Sequence, residues 1–254
     1  MKHLFLTSSP FTGAEQPFTA KNRFAERLLA AGRSCRRGLM ITASPSDFGL
    51  TEAHSYAIRR TLELTGIIFQ DYTILDDRNK AHAAELVRSC DFIILGGGHC
   101  PTQNAFFREI GLRDLMKGFD GPVFGISAGS MNCADLVYAQ PEAEGESEDP
   151  AYEKFIPGLG LTKCMLLPHY QENKDRILDG KRLFEEITYP DSCGRQFIAI
   201  CDGSYLYSDG TDERICGEAW LIRDGKIRKI CGEEEEYGYP DHFRLSGSGE
   251  DHFY

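Results

Sequence analysis

The segment Pro122-Val123-Phe124-Gly125-Ile126-Ser127-Ala128-Gly129-Ser130-Met131-Asn132 sets the reading of the whole chain. An apolar strand runs straight into small residues that open a helix, with no loop between them. Such a junction forces its turn residue into strained geometry, and glycines on either side make the room that it needs. Ser127 would then stand clear of the sheet. At the head of the following helix it would meet unpaired N–H groups and the positive end of the helix dipole, which suits a developing oxyanion. The same residues also fit a tight turn with a helix-capping serine, so the segment needs partners before it signifies chemistry.

Upstream, short apolar runs alternate with amphipathic segments, as βα units feeding a parallel sheet do. Leu4 to Thr7, Gly38 to Ala43, Phe69 to Leu75, Asp91 to Leu95 and Pro122 to Ile126 read as strands. Lys21 to Ala31, Thr51 to Thr65, Ala81 to Ser89 and Gln103 to Met116 carry apolar residues at helical spacing. These repeats predict an α/β fold, a three-layer α/β/α sandwich around a mostly parallel sheet.

Downstream the rhythm changes. Residues 139–160 are acidic, contain Gly and Pro, lack periodicity and read as a surface excursion. Cys164 to Leu167 and Phe197 to Cys201 read as buried strands, and Lys174 to Ile187 as a helix. Arg223-Asp224-Gly225 between two alternating runs, Glu218 to Ile222 and Lys226 to Cys231, is a strong hairpin signal. A C-terminal β-hairpin is therefore expected over residues 214–231, with an acidic tail over 232–254 as a flap or a disordered end. One domain over residues 1–254 is expected, since this length suffices for a single large core.

The formal charge of −11 argues against nucleic acid or an anionic membrane as partner, because neither polyanion gains from an acidic surface. The acidic runs 142–149 and 233–236 read as solvated loops. No apolar stretch approaches the roughly 20 residues of a membrane helix, and the N-terminal run reads as a strand rather than a signal peptide. Nine cysteines without a CxxC pair suggest free thiols in a reducing compartment, so a cytoplasmic monomer or homodimer is expected.

Three further strand ends offer partners for Ser127. Asp91-Phe92-Ile93-Ile94-Leu95 runs into Gly96-Gly97-Gly98-His99, and bare backbone at the carboxyl end of a parallel strand can aim N–H donors at a substrate carbonyl. Gly98 with Ala128 is a candidate oxyanion hole, while a phosphate loop would want GxGxxG or a GK[ST] ending. Of seven histidines, only His169 follows a short buried run at a strand's carboxyl end. His99 sits on the glycine loop, where it would line the pocket. A base of this kind needs an acid to fix its tautomer, and Asp202 closes the strand Phe197 to Cys201. The order nucleophile, histidine, acid differs from the α/β-hydrolase order, in which the histidine comes last. With no HExxH and no clustered ligand spacing, neither a metal nor an organic cofactor is expected.

These motifs together resemble peptidase family S51, to which dipeptidase E (aspartyl dipeptidase) and cyanophycinase belong; the resemblance spans about residues 1–210. It implies a class I glutamine amidotransferase-like (flavodoxin-like) fold with serine in place of that superfamily's cysteine. It also implies Ser127 as nucleophile, His169 as base, and Gly98 and Ala128 as oxyanion donors. Asp202 falls where dipeptidase E-like members carry a glutamate. Their segment after the histidine is similar to a His-rich, Arg-containing reader of an N-terminal aspartate. Here Tyr170-Gln171-Glu172-Asn173-Lys174-Asp175-Arg176 stands instead, leaving Arg176, with His99, as the substrate-binding candidates. The expected activity is serine-type hydrolysis of small peptides or isopeptides. The alternatives are an α/β-hydrolase-type esterase using Ser127, Asp202 and His242; a thiol amidotransferase drawing on Cys100 or Cys133; and a catalytically silent binding protein of the same fold.

Overall fold

Period-two alternation of large apolar side chains gives the central sheet two buried faces. The computed structural model describes residues 2–239. It places β1 (Leu4–Thr7), β2 (Arg37–Ile41), β3 (Asp71–Leu75), β4 (Phe92–Leu95) and β5 (Val123–Ile126) in one parallel array, in the order β3-β2-β4-β5-β1. Phe92 and Ile94 of β4 join Phe5 of β1 in one core, while Ile93 and Leu95 join Leu4 and Leu6 in the other. Against the first face, α1 (Phe24–Gly32) and α2 (Phe48–Thr65) bury Phe24, Leu28, Ile58 and Leu62. Against the second, α3 (Ala83–Ser89), α4 (Cys100–Glu109) and α5 (Leu112–Leu115) bury Val87, Phe106, Phe107 and Leu112. This is the layered α/β arrangement that the repeats predict. Each such side chain contributes about 1.5–3 kcal/mol on full burial, which is what holds the layers together.

After β5 come α6 (Ala128–Met131), β6 (Leu136–Tyr138) and β7 (Phe155–Pro157), the two strands pairing antiparallel. The excursion expected over residues 139–160 therefore ends in a strand, too short to leave a periodic signature. Next are β8 (Leu166–Leu167), the short helix α7 (Tyr170–Asn173), β9 (Ile177–Leu178), β10 (Lys181–Arg182) and β11 (Gln196–Ile200). The described chain ends with β12 (Tyr205–Ser208), β13 (Glu213–Cys216), β14 (Ala219–Arg223), β15 (Lys226–Cys231) and β16 (Glu236–Tyr239). β12, β13 and β16 extend the main sheet antiparallel beyond β1. β8, β11, β14 and β15 form a second sheet, in which β8 and β11 lie parallel and side by side. Its Leu166, Ile198, Ile200 and Leu221 pack into the same core as α3, α4 and α5.

Three expectations need correction. Residues 174–187 do not form a helix: β9 and β10 make a small hairpin about Asp179-Gly180, both at positive φ (51° and 76°), before a π-helical turn over Leu183–Thr188. The Asp-Gly pair breaks the helical spacing with the same turn chemistry that sits at Asp224-Gly225. The C-terminal hairpin is narrower than 214–231, because residues 213–216 belong to β13 of the main sheet and only β14 and β15 pair across Asp224-Gly225. Of the tail expected over 232–254, residues 236–239 form the edge strand β16; residues 240–254 lie outside the described residues.

The junction at β5 shows why its glycines are glycine. A Cβ on Gly125 would stand 2.9 Å from the Ser130 nitrogen, and one on Gly129 would stand 2.3 Å from the Leu95 carbonyl oxygen. Both obstacles are backbone of packed elements, so neither can swing aside. Replacing Gly129 with alanine is expected to cost about 3 kcal/mol or more, as overpacking of a tight core does. Gly118→Ala, where the added methyl meets open space, serves as the control. Urea denaturation of the two variants measures the difference, and equal midpoints would refute the packing argument.

Candidate active site

Ser127 sits at φ 49° and ψ −112°, a sparsely populated conformation for a residue with a side chain, between β5 and α6. The end of β1 holds it there. The Ser127 N–H donates to the carbonyls of Thr7 (3.0 Å) and Ser8 (3.1 Å), and Ser130 Oγ donates to the Thr7 carbonyl at 2.7 Å. Ala128 N–H is the first of α6, so no helical acceptor exists for it. The glycines after β4 run alongside: a Cβ on Gly97 would lie 3.5 Å from Ser127 Cβ, and Gly98 holds φ at 150°. Gly97 thus lies beside the serine and Ala128 follows it directly, whereas a Cβ on Gly98, the candidate oxyanion donor, would face Ala43 at 2.8 Å.

His169 and Asp202 come from the second sheet. Because β8 and β11 are parallel neighbours, with Leu166 opposite Ile198 and Leu167 opposite Ala199, the residues that follow them emerge together. His169 Nε2 lies 3.0 Å from Ser127 Oγ, and His169 Nδ1 lies 2.9 Å from Asp202 Oδ1. A carboxylate only accepts, so Nδ1 carries the proton toward Asp202 and Nε2 is left as acceptor for the serine hydroxyl. Burial disfavours the imidazolium, but the hydrogen bond and charge of Asp202, with smaller contributions from Glu172 and Glu142, outweigh it and raise the His169 pKa above its ordinary value. For Asp202 burial likewise opposes charge, yet the hydrogen bonds from His169 and Ser8 keep its pKa below the ordinary carboxylate value.

Ser8 escapes sequence reasoning and touches all three residues. Its hydroxyl, fully buried, donates to Asp202 Oδ1 at 2.6 Å and accepts from the His169 N–H at 2.8 Å, while its carbonyl accepts from Ser127. The signal was its position: Ser8 follows β1, whose carboxyl end lies beside that of β5. Gln171 adds a bond, its Oε1 accepting from the Asp202 N–H at 3.1 Å.

The two substrate-binding candidates are engaged by the acidic segment that follows β6. His99 Nδ1 lies 2.7 Å from Thr102 Oγ1, and its Nε2 lies 2.7 Å from Glu146 Oε1. Arg176 Nη2 donates to the Glu142 carbonyl at 2.5 Å. Asp179 accepts from the N–H groups of Gly145 and Ser147, tying the same segment to the β9–β10 hairpin. His242 lies outside the described residues. Among the described residues, no three side chains of His, Cys, Asp or Glu gather in a way that could hold a metal ion, and no helix is long and apolar enough to cross a membrane.

A serine on a strained strand-to-helix turn, hydrogen-bonded to an imidazole that is itself bonded to a carboxylate, defines an α/β protein with the geometry of a serine hydrolase. Comparison with known proteins narrows the class. The model of peptidase family S51 matches residues 4–216, and the chain belongs to that family. No curated protein matches it in sequence. Among solved structures it is similar to a peptidase from an acI-B1 Actinobacterium, with TM-score 0.63 and 16% identity over 94% of this chain and 97% of that one. It is also similar to a putative peptidase E protein from Listeria monocytogenes EGD-e, with TM-score 0.52 and 16% identity over 91% of this chain and 98% of that one. These likenesses bear on the fold; family membership makes the chain a serine peptidase.

Removing the Ser8 hydroxyl should loosen the Ser127, His169 and Asp202 arrangement without unmaking the fold. A hydrogen bond to a charged group is worth about 1.5–3 kcal/mol, so Ser8→Ala is expected to lower kcat about ten- to hundredfold while KM changes little. Peptide hydrolysis kinetics alongside a circular-dichroism melt separate this from unfolding. A native melt with undiminished kcat would show that Ser8 is dispensable.

Proposed function

We propose that the chain hydrolyses small peptides or isopeptides through an acyl-enzyme on Ser127, with His169 as general base and Asp202 as its orienting acid. One observation carries this reading: the continuous hydrogen-bonded path from Ser127 Oγ through the imidazole to Asp202. In the forward step His169 Nε2 takes the hydroxyl proton as Oγ attacks the scissile carbonyl. The N–H groups of Gly98 and Ala128 stabilise the resulting oxyanion. The imidazolium, steadied by Asp202, then gives its proton to the leaving amine, and water releases the acyl group by the same route.

The thiol alternative has little physical support. Cys100 and Cys133 are buried, and burial pushes both thiols above their ordinary pKa, away from the nucleophilic thiolate. For the aspartyl-peptide preference of dipeptidase E, the needed cation is short: the Arg176 guanidinium already serves the Glu142 carbonyl. Labelling with a fluorophosphonate probe, followed by peptide mapping, tests the nucleophile. Modification of Ser127 that disappears in Ser127→Ala is expected, together with hydrolysis of part of a dipeptide library. A chain that never labels would favour the silent binding protein, and activity that survives His169→Ala would favour the esterase.

The pH profile follows from the raised His169 pKa. A general base must be neutral, so activity falls as pH drops through that pKa, and the acidic limb of kcat/KM is expected above the ordinary histidine value of about 6.5. Asp202→Asn removes the charge that raises it. The limb should then move to lower pH, with a loss of kcat on the order of 10⁴-fold. A limb that stays in place would mean that Asp202 does not govern His169.

A further inference from the structure

We infer that an apolar pocket beside Ser127 receives an uncharged aliphatic or aromatic side chain of the substrate, next to the scissile bond. The preferred peptides would carry leucine- or phenylalanine-like residues there rather than aspartate. The inference rests on the peptide-hydrolysis reading above and deepens it.

The pocket has a volume of about 280 Å³ and is lined by Phe11, His54, Ala57, Ile58, Gly97 and Ile126. Two of these residues fix its place relative to the chemistry. Ile126 immediately precedes Ser127, and Gly97 is the glycine whose missing side chain would reach within 3.5 Å of Ser127 Cβ. A side chain lying in the pocket is therefore attached to a backbone that passes the nucleophile. Of the lining side chains, Ile58 and Ile126 are buried. One wall is Phe11, 37% exposed on the loop after β1 and braced by the buried ring of Phe18 at 5.4 Å between centroids. α2 contributes His54 and Ala57 as well as Ile58.

Among the described residues no carboxylate, ammonium or guanidinium lines this pocket, whose one titratable group is the exposed imidazole of His54. The adjoining hollow, about 340 Å³, shares Phe11 and Ala57 and does include Arg60. That guanidinium is already paired with Glu15 at 2.7 Å and Glu63 at 3.6 Å. A substrate carboxylate entering the pocket would lose water and meet no permanent cation, which is unfavourable. An aliphatic or aromatic group loses only unfavourable hydration there. On these grounds the pocket selects against the aspartyl side chain and for an apolar one.

The test compares the dipeptides X-Ala and Ala-X, with X as Leu, Phe, Asp or Ala, on the full chain and on the variants Phe11→Ala and Ala57→Asp. On one side of the bond, kcat/KM for Leu or Phe should exceed that for Asp and for Ala by about tenfold or more, as filling an apolar pocket allows. Both variants should bring the ratio of the Leu and Phe values to that of Ala-Ala down toward one. Aspartyl peptides cleaved as well as Leu or Phe peptides, or variants that slow every peptide equally, would overturn the inference. A second measurement separates the pocket from the reaction: NMR titration of Ser127→Ala with the same dipeptides. Tighter binding of the Leu than of the Asp peptide supports the pocket even where wild type cleaves neither, a result that would remove the hydrolysis reading alone. Equal binding, or none, would overturn the pocket.

Discussion

Two sheets meet at the carboxyl end of β1, and the hydrogen bonds made by Ser8 join them at that point. The main sheet supplies Ser127 on the strained turn after β5; the second sheet supplies His169 after β8 and Asp202 after β11. Nothing in either sheet alone sets the distance between serine and imidazole. The carbonyl of Ser8 takes the Ser127 N–H, and its hydroxyl takes the His169 N–H while donating to Asp202. Ser8 N–H in turn donates to the Ser204 carbonyl just before β12, which returns from Asp202 to lie against β1. The covalent path from acid to main sheet is thus only a few residues long, and the site inherits the rigidity of both layers.

Charge is arranged around this joint in a way that matters for the chemistry. The protein is acidic overall, and carboxylates of Asp202, Glu172 and Glu142 all favour a proton on His169, against the opposing effect of burial. A base with a raised pKa is a stronger proton acceptor for the serine hydroxyl, at the cost of being neutral over a narrower pH range. Two cations discussed above are engaged in structural contacts: Arg176 with the Glu142 carbonyl and Arg60 with Glu15.

Much of the central layer is legible in the sequence because buried strands write themselves as short, dense apolar runs. Phe92 to Leu95 and Val123 to Ile126 are fully buried and were readable on that basis. Ser127, His169 and Asp202 were legible as residues closing such runs, and the structure brings all three together. Their assignment to two different sheets was not, since β8 is two residues long and its pairing with β11 is a tertiary fact. Asp179-Gly180 carried the same turn signal as Asp224-Gly225 but was masked by apolar residues at helical spacing over 174–187. Ser8 belongs to no motif at all: a single hydroxyl becomes significant only when strand order puts β1 beside β5. The engagement of His99 and Arg176 by the acidic segment was likewise invisible, because the charge run 142–149 reads as solvated until its anchors at Asp179, His99 and Arg176 are placed.

Hydrolysis as proposed requires Ser127 and the N–H groups around it to act together on a tetrahedral centre. A crystal structure of the protein treated with a peptidyl phosphonate ester examines this directly. Phosphorus is expected on Ser127 Oγ, with one phosphoryl oxygen about 2.7–3.1 Å from the N–H groups of both Gly98 and Ala128. Phosphorus on another residue, or a phosphoryl oxygen turned away from both N–H groups toward solvent, would contradict it.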